Sequence, residues 1–149
     1  CESISLIRFD GPLYFANTGY FEDVILERAA NKPHLKYIII DAEGINEIDA
    51  TGEEMLHELS KRLQSAGIQI IFSRFKKQIM DILQKTGFVT YLGEENFTRL
   101  RSHAFRLARE NIGCDSKSCP LIFSQPLMEE MQKERCPAAI RGEILTEAE

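Results

Sequence analysis

The chain has 149 residues, of which 44% are hydrophobic and 28% charged, a composition typical of one globular domain. Its formal net charge of −5 argues against a general nucleic-acid-binding surface, because such surfaces are basic. No apolar run approaches the roughly 18 residues of a membrane-spanning helix, and the first residues are typical of a strand and not of a signal peptide.

The amino-terminal part predicts a β-hairpin followed by a helix. Residues 3–9 alternate loosely in hydrophobicity, and residues 13–16 form a second apolar run after the turn signal Asp10-Gly11-Pro12. Two strands joined this closely are expected to pair in antiparallel fashion. Asn17 and Thr18 then offer a helix start, and residues 31–33 end that helix.

Residues 37–63 predict a buried strand, a polar turn and an amphipathic helix. The apolar run at 37–40 is typical of a strand covered on both faces, and Asp41 ends that run. Asp49 and Thr51 are predicted to cap the helix, whose apolar stripe is formed by Met55, Leu56, Leu59, Leu63 and Ala66. The turn follows the carboxyl end of a buried strand, where open α/β sheets place their functional residues.

The alternation of strands and helices continues to about residue 110. Residues 68–72 predict a third parallel strand, with Ser73 as cap of a helix that ends at Gly87, and residues 88–92 predict an edge strand. Asn96 is predicted to cap the last helix. The result is an α/β fold of order ββαβαβαβα, a mixed sheet of about five strands flanked by four helices. The predicted helices start near Thr18, Thr51, Lys76 and Phe97.

The sequence changes character near residue 112. We expect residues 1–112 to form the domain and residues 113–149 to be a partly ordered or disordered tail, because the tail is poor in apolar residues. Cys114, Cys119 and Cys136 lie in that tail, at a spacing unlike that of a zinc knuckle. Free thiols in a reducing cytosol are the simplest interpretation of the cysteines, and a tail disulfide or metal site is the alternative.

The sequence offers few residues for catalysis. His34, His57 and His103 are expected in a loop and on helix surfaces, and the patterns of a Gly-rich phosphate loop, a nucleophile elbow or a HExxH metal site are missing. We therefore predict a protein that is not an enzyme and that carries neither a metal nor a cofactor.

Asp41, Asp49, Ala50, Thr51 and Gly52 are the candidate functional residues, which we expect to form a docking turn with Thr51 as a candidate phospho-acceptor. Thr51 places a hydroxyl at a helix start, and Gly52 allows another backbone to approach closely. A phosphate at Thr51 would meet free amides and the positive end of the helix dipole. Simple capping of the helix is the alternative interpretation.

The buried strand, the Asp41 turn and the helix start at residues 49–52 resemble the STAS domain, which anti-sigma factor antagonists share with the cytoplasmic tails of SulP anion transporters. The run RFDGPLYFAN at residues 8–17 and the loop GEEN at residues 93–96 are similar to the SulP (SLC26-like) branch. This resemblance implies a regulatory or protein-interaction domain of a sulfate or anion transporter, on the cytoplasmic side of the inner membrane. Its implied partners are the transmembrane part of its own transporter and a cytoplasmic protein. A dimer, and a nucleotide or anion at the Thr51 helix start, are further expectations.

A stand-alone anti-sigma factor antagonist is the second hypothesis. In that branch a kinase phosphorylates the Ser or Thr before the glycine, and Thr51 falls on this position. Glu53 and Glu54 depart from the pattern, because two carboxylates beside a phosphate repel it. The upstream gene sequence discriminates between the hypotheses: the resemblance implies about ten to fourteen hydrophobic spans for a transporter, which would also explain the start at Cys1. An adjacent kinase gene and a start codon near Cys1 would favour the antagonist.

Overall fold

The computed structural model describes residues 2–113, and these residues form the predicted α/β fold. The predicted tail from residue 114 on and all four cysteines lie outside the described residues. The elements are, in chain order, β1 (Ile4–Asp10), α1 (Thr18–Ala30), β2 (Tyr37–Gly44), α2 (Ala50–Ser65), β3 (Gln69–Ser73), α3 (Lys77–Lys85), α4 (Phe88–Leu92), a 3-10 turn (Glu94–Asn96), β4 (Phe97–Thr98) and α5 (Arg101–Ile112).

The four strands form one parallel sheet in the order β1-β2-β3-β4. Strand β2 lies inside the sheet, with Ile39 paired between Leu6 and Ile71. Its interior position explains the continuous apolar run, because helices cover both faces of a parallel sheet. The predicted central placement of residues 37–40 is confirmed, and the strand continues past Asp41 to Gly44.

Alternate side chains of the strands point to two separate cores. One face carries Ile38, Ile40 and Phe72 and packs against α1, α2, α3 and α4. The other face packs against α5, through a cluster formed by Ile4, Tyr37, Ile39, Ile71, Ala104, Phe105 and Ala108. A side chain of β2 therefore faces either α2 or α5, and this decides which residues can share a site.

The predicted hairpin between β1 and residues 13–16 is wrong. The amide of Gly11 donates to the carbonyl of Gly44 at 3.0 Å, so the chain crosses the end of β2 and does not turn back along β1. Leu13 forms a single parallel bridge with Ile48, and the residues after it turn into α1. Because this strand is lost, the described sheet is parallel throughout and has four strands, where a mixed sheet of about five was expected.

The predicted edge strand at residues 88–92 is also wrong, because these residues form the short helix α4. Gly87 precedes it with a φ of +84°, a left-handed conformation that ends α3 and redirects the chain. Phe88, Val89 and Leu92 are buried at a spacing that suits a helix. The fourth strand is instead the short β4, where Phe97 stacks on Phe72 with ring centroids 5.7 Å apart.

Three of the four predicted helix starts are confirmed within one residue, at Thr18, Ala50 and Lys77. The last helix begins at Arg101 and not near Phe97. Asn96 does not cap it, because the Asn96 side chain donates to the carbonyl of Leu92 at 2.7 Å. Ser73 is not a cap either, since it ends β3 and is buried. The described residues thus contain five α-helices, one more than predicted.

Candidate functional site

Of the two residues predicted to cap helix α2, Asp49 and Thr51, it is Asp49 that does so. Its backbone is extended, with φ −101° and ψ 178°, and its Oδ1 accepts a hydrogen bond from the amide of Gly52 at 2.7 Å. A side-chain cap of this kind stabilises a helix by about 1 kcal/mol. The predicted capping role of Thr51 is wrong, because Thr51 lies inside the first helical turn, where its side chain is exposed.

The loop between β1 and α1 holds this helix start in place. The amide of Leu13 donates to the carbonyl of Glu47 at 2.8 Å, and the amide of Asp49 donates to the carbonyl of Leu13 at 3.1 Å. Oδ2 of Asp49 also accepts from the amide of Phe15 at 3.1 Å. One carboxylate therefore fixes both the helix and the loop beside it.

The loop approaches α2 so closely that only glycine fits at position 52. A Cβ atom added to Gly52 would lie 2.3 Å from the carbonyl oxygen of Leu13, which is far inside van der Waals contact. The sequence predicts that another backbone approaches Gly52 closely, and in the structure this backbone is the protein's own, at Leu13. The Gly52 amide, which an anion at this helix start would use, already donates to Asp49.

The first turn of α2 exposes Ala50, Thr51 and Glu54 beside the loop. Glu53 is partly buried and lies 2.7 Å from Nε2 of His57. The imidazole of His57 makes edge contacts with Phe88, at a centroid distance of 4.9 Å, and lies 5.1 Å from Tyr91. His57 therefore packs between α2 and α4 and does not sit free on the helix surface, as the sequence analysis expected.

Asp41 lies apart from the other four candidate residues. It is in β2, wholly buried, two positions after Ile39, so its side chain points to the α5 face while α2 packs on the opposite face. Arg74 donates to both of its oxygens, from Nε at 3.1 Å and from Nη2 at 2.8 Å. Arg8 and Arg101 bring further guanidinium groups to 3.6 and 3.8 Å from Oδ2. The buried carboxylate is thereby compensated in charge, as burial of an ion requires.

Sequence reasoning missed the three arginines around Asp41. They come from β1, from the residue after β3 and from the start of α5, and nothing in their local sequence indicates that they meet. Arg74 has a φ of +64°, a strained conformation for a residue with a side chain. That conformation, together with the hydrogen bond from the Arg74 amide to the Thr98 carbonyl at 2.9 Å, fixes the residue beside Asp41.

The same cluster contains two exposed carboxylates that neutralise it. Arg74 lies 2.6 Å from Glu43, and Arg8 lies 2.9 Å from Asp10. The hydrogen bonds from Arg8 hold the pKa of Asp10 below its usual range, and the same contacts raise the pKa of Arg8. With three arginines facing three carboxylates, the cluster ties together the carboxyl ends of β1, β2 and β3.

Within residues 2–113, His, Cys, Asp and Glu side chains form no group of three that could hold a metal ion. The helices of this part of the chain are too short or too polar to cross a membrane.

Comparisons with known proteins agree with the fold. Residues 2–103 match the family model described as the STAS domain. Sulfate transporter 3.2 of Arabidopsis thaliana is 30% identical over 103 residues, a match that covers 63% of this chain and 16% of that protein. The chain thus spans about a sixth of the relative's length.

Two groups of solved structures share this architecture. The STAS domain of a SulP transporter from Vibrio cholerae has a TM-score of 0.63 and 23% identity, over 74% of this chain and 84% of that one. The phosphorylated form of SpoIIAA from Bacillus has a TM-score of 0.54 and 16% identity, over 73% of this chain and 94% of that one. SpoIIAA is an anti-sigma factor antagonist. At these identities the two likenesses show the fold alone.

Proposed function

This chain belongs to the STAS domain family, and we propose that it is a non-catalytic regulatory domain of a SulP-type sulfate or anion transporter. In this role it lies on the cytoplasmic side of the membrane and acts by docking. The docking surface is the helix start, where Asp49 and the buried Gly52 hold the backbone and the exposed Ala50 and Thr51 contact the transporter's own membrane part or a cytoplasmic protein. Residues 1–112 are the docking unit, and residues 113–149 are a tail that the fold does not need.

The observation that carries this proposal is the rigidity of an exposed turn. Three hydrogen bonds, at 2.7, 3.1 and 3.1 Å, join Asp49 to Gly52, Phe15 and Leu13. A partner that binds Ala50 and Thr51 therefore does not have to order the backbone first, which lowers the entropic cost of association. The site lies at the carboxyl side of the parallel sheet, where folds of this type place their binding residues.

A non-catalytic role is supported by the electrostatics of the described residues. The charged side chains at the carboxyl ends of β1 and β2 pair with one another, and Asp41 is wholly buried among arginines.

Sulfate uptake by the complete gene product tests the proposal. Thr51→Glu places a charge on the docking surface, and because Asp49 and not Thr51 caps α2, the variant should keep its melting temperature within a few degrees. We expect uptake to change by about threefold or more, a difference near 0.7 kcal/mol in an interaction free energy. Thr51→Ser should be silent.

Thr90→Glu is the matched control, since Thr90 is an exposed threonine on α4. Normal uptake by a well-folded Thr51→Glu protein, or an equal effect of Thr90→Glu, would refute docking through this turn. A complete gene product that lacks hydrophobic spans would refute the transporter assignment itself.

The alternative function is an anti-sigma factor antagonist that is switched by phosphorylation of Thr51. The exposed position of Thr51 in the first turn of α2 favours it, because a kinase could reach the hydroxyl there. Against it, Asp49 already accepts the Gly52 amide, and a phosphate would lie near Glu53 and Glu54. Incubation with ATP and the kinase encoded beside the gene tests it, since a phosphate found by mass spectrometry on wild type and missing from Thr51→Ala would establish the switch.

A further inference from the structure

Within residues 2–113, eight of the sixteen acidic side chains belong to two segments on one side of the fold. Residues 11–27 and 46–60 contain eight acidic side chains and neither lysine nor arginine; the acids are Glu22, Asp23, Glu27, Glu47, Asp49, Glu53, Glu54 and Glu58. Residues 97–109, from β4 through most of α5, contain four arginines and no acid. Since α1 and α2 pack on one face of the sheet and α5 on the other, the two charges lie on opposite sides of the sheet.

Segments 11–27 and 46–60 form one continuous surface, which we call the acidic face. Leu13 and Ile48 form a parallel bridge, and the amide of Phe15 donates to Asp49 at 3.1 Å. Further along the helices, Glu22 of α1 pairs with Arg62 of α2. Arg62 neutralises Glu22, and the remaining acids of both segments act together on whatever approaches this side of the molecule.

Three exposed aromatic side chains, Tyr14, Phe15 and Tyr20, belong to the acidic face, and the first two form a pair. Phe15 is 72% exposed, the largest value for a large hydrophobic residue in residues 2–113, and Tyr14 is 38% exposed. Their rings meet edge to face, with centroids 5.7 Å apart. The amide of Tyr14 donates to Asn17 Oδ1 at 3.0 Å and that of Phe15 donates to Asp49. An isolated exposed hydrophobic residue needs no explanation, but an exposed aromatic pair on a hydrogen-bonded backbone beside the docking surface is of the residue type in which protein interfaces are enriched.

The charge of the acidic face determines the chemistry of its partner. Anionic lipid headgroups at the cytoplasmic surface would be repelled by an acidic surface. The cytoplasmic loops of membrane proteins are enriched in lysine and arginine, so they are complementary to it. We propose that Tyr14 and Phe15 are the anchors by which the acidic face binds a lysine- and arginine-rich cytoplasmic segment of the transporter's membrane part. This inference rests on the proposed function and identifies the partner of the docking turn.

A fluorescence experiment on the full 149-residue chain tests the proposal. The chain contains no tryptophan, so Phe15→Trp introduces a single reporter into the acidic face. The probes are a short lysine-rich peptide that carries leucine and the same peptide with glutamate in place of lysine. We expect the lysine peptide to shift the tryptophan emission to the blue and to bind more weakly as salt is added, and the glutamate peptide to leave the emission unchanged.

Matched variants separate the acidic face from general electrostatic attraction. Glu54→Lys should weaken lysine-peptide binding about tenfold, and Asp81→Lys, an equal charge change at an exposed position on α3, should weaken it much less. Calorimetry on variants of the wild-type chain, which has no tryptophan, measures the affinity for the lysine peptide directly. Phe15→Ser should lower this affinity about tenfold, and Ile82→Ser, a change at another exposed hydrophobic residue, should leave it unchanged. Circular dichroism confirms that each variant is folded.

Three results would overturn the proposal. One is failure of the lysine peptide to bind, and another is equal weakening by Glu54→Lys and Asp81→Lys, which would mean attraction by net charge alone. The third is a blue shift of the Phe15→Trp emission when vesicles of phosphatidylserine in phosphatidylcholine are added, which would mean that the acidic face binds lipid. Each outcome is independent of sulfate uptake by Thr51→Glu, so the docking function can stand when this identification of its partner fails.

Discussion

Replacement of Gly52 by alanine tests whether the candidate site is held by contact between α2 and the loop after β1. The new Cβ would lie 2.3 Å from the carbonyl oxygen and 3.0 Å from the carbonyl carbon of Leu13, and 3.2 Å from Cγ1 of Ile48. Two of these three atoms belong to the backbone, so the clash cannot be relieved by rotation of a flexible side chain. The loop has to move away from the helix start.

The cost of that movement follows from the contacts at risk. Overpacking of a dense site costs about 1–3 kcal/mol, and each strained hydrogen bond costs about 1 kcal/mol. The bonds at risk join Leu13 to Glu47, at 2.8 Å, and Asp49 to Leu13, at 3.1 Å. Alanine gains about 1 kcal/mol over glycine in helix propensity. We therefore expect Gly52→Ala to lower the free energy of unfolding by about 2–4 kcal/mol.

Urea denaturation followed by circular dichroism measures this loss, and Gly19→Ala is the control. Gly19 also lies in the first turn of a helix, but a Cβ atom there would have no neighbour within 4 Å. Gly19→Ala should therefore be neutral or stabilise the protein by up to about 1 kcal/mol. If the two variants unfold at the same urea concentration, the proposed contact between the loop and α2 does not constrain this site.

Three further predictions concern the arginine cluster and the tail. Asp41→Asn leaves the arginines without their buried carboxylate and should lower the free energy of unfolding by about 3 kcal/mol in urea, whereas Asp10→Asn at neutral pH should have a much smaller effect. The contact with Arg8 lowers the pKa of Asp10 in the folded protein. The stabilisation by this contact is therefore complete above the pKa of Asp10 in the unfolded chain and is lost as the pH falls through the pKa in the folded protein. In melting scans below about pH 4, the melting temperature of Asp10→Asn should therefore fall less than that of wild type. A chain that ends at Gly113 should melt within a few degrees of the full chain, and a large decrease would mean that Leu121, Ile122 and Phe123 complete the core.

The elements that the sequence predicted correctly are those whose signals are local. The apolar run of four β-branched and aromatic residues at 37–40 indicates a strand covered on both faces, because consecutive side chains of a strand point to opposite faces and both are then buried. The helix starts at Thr18, Ala50 and Lys77 followed from turn residues and apolar periodicity. Asp49 was identified as a cap because a carboxylate before an apolar stripe satisfies amides within its own turn.

The errors occurred where a short apolar run fits two structures equally well. The five residues at 88–92 have no clear preference for helix or strand in their sequence. In the structure they form a helix because Gly87 redirects the chain in a left-handed conformation and Phe88 packs against Phe72. Residues 13–16 could have formed a hairpin strand. Instead, the hydrogen bond from the amide of Gly11 to the carbonyl of Gly44 holds this segment across the carboxyl end of β2, and Phe15 is exposed there.

Local sequence is enough to predict the α/β class, the buried central strand and the position of the capped helix start, because each depends on the chemistry of neighbouring residues. The three-dimensional packing separates Asp41 from that helix start by the sheet and brings Arg8, Arg74 and Arg101 to it. The same packing brings Leu13 and Phe15 to the site from another part of the chain. Contacts between residues more than thirty positions apart leave no periodicity in the sequence, since they depend on which strands become neighbours and which face each side chain takes.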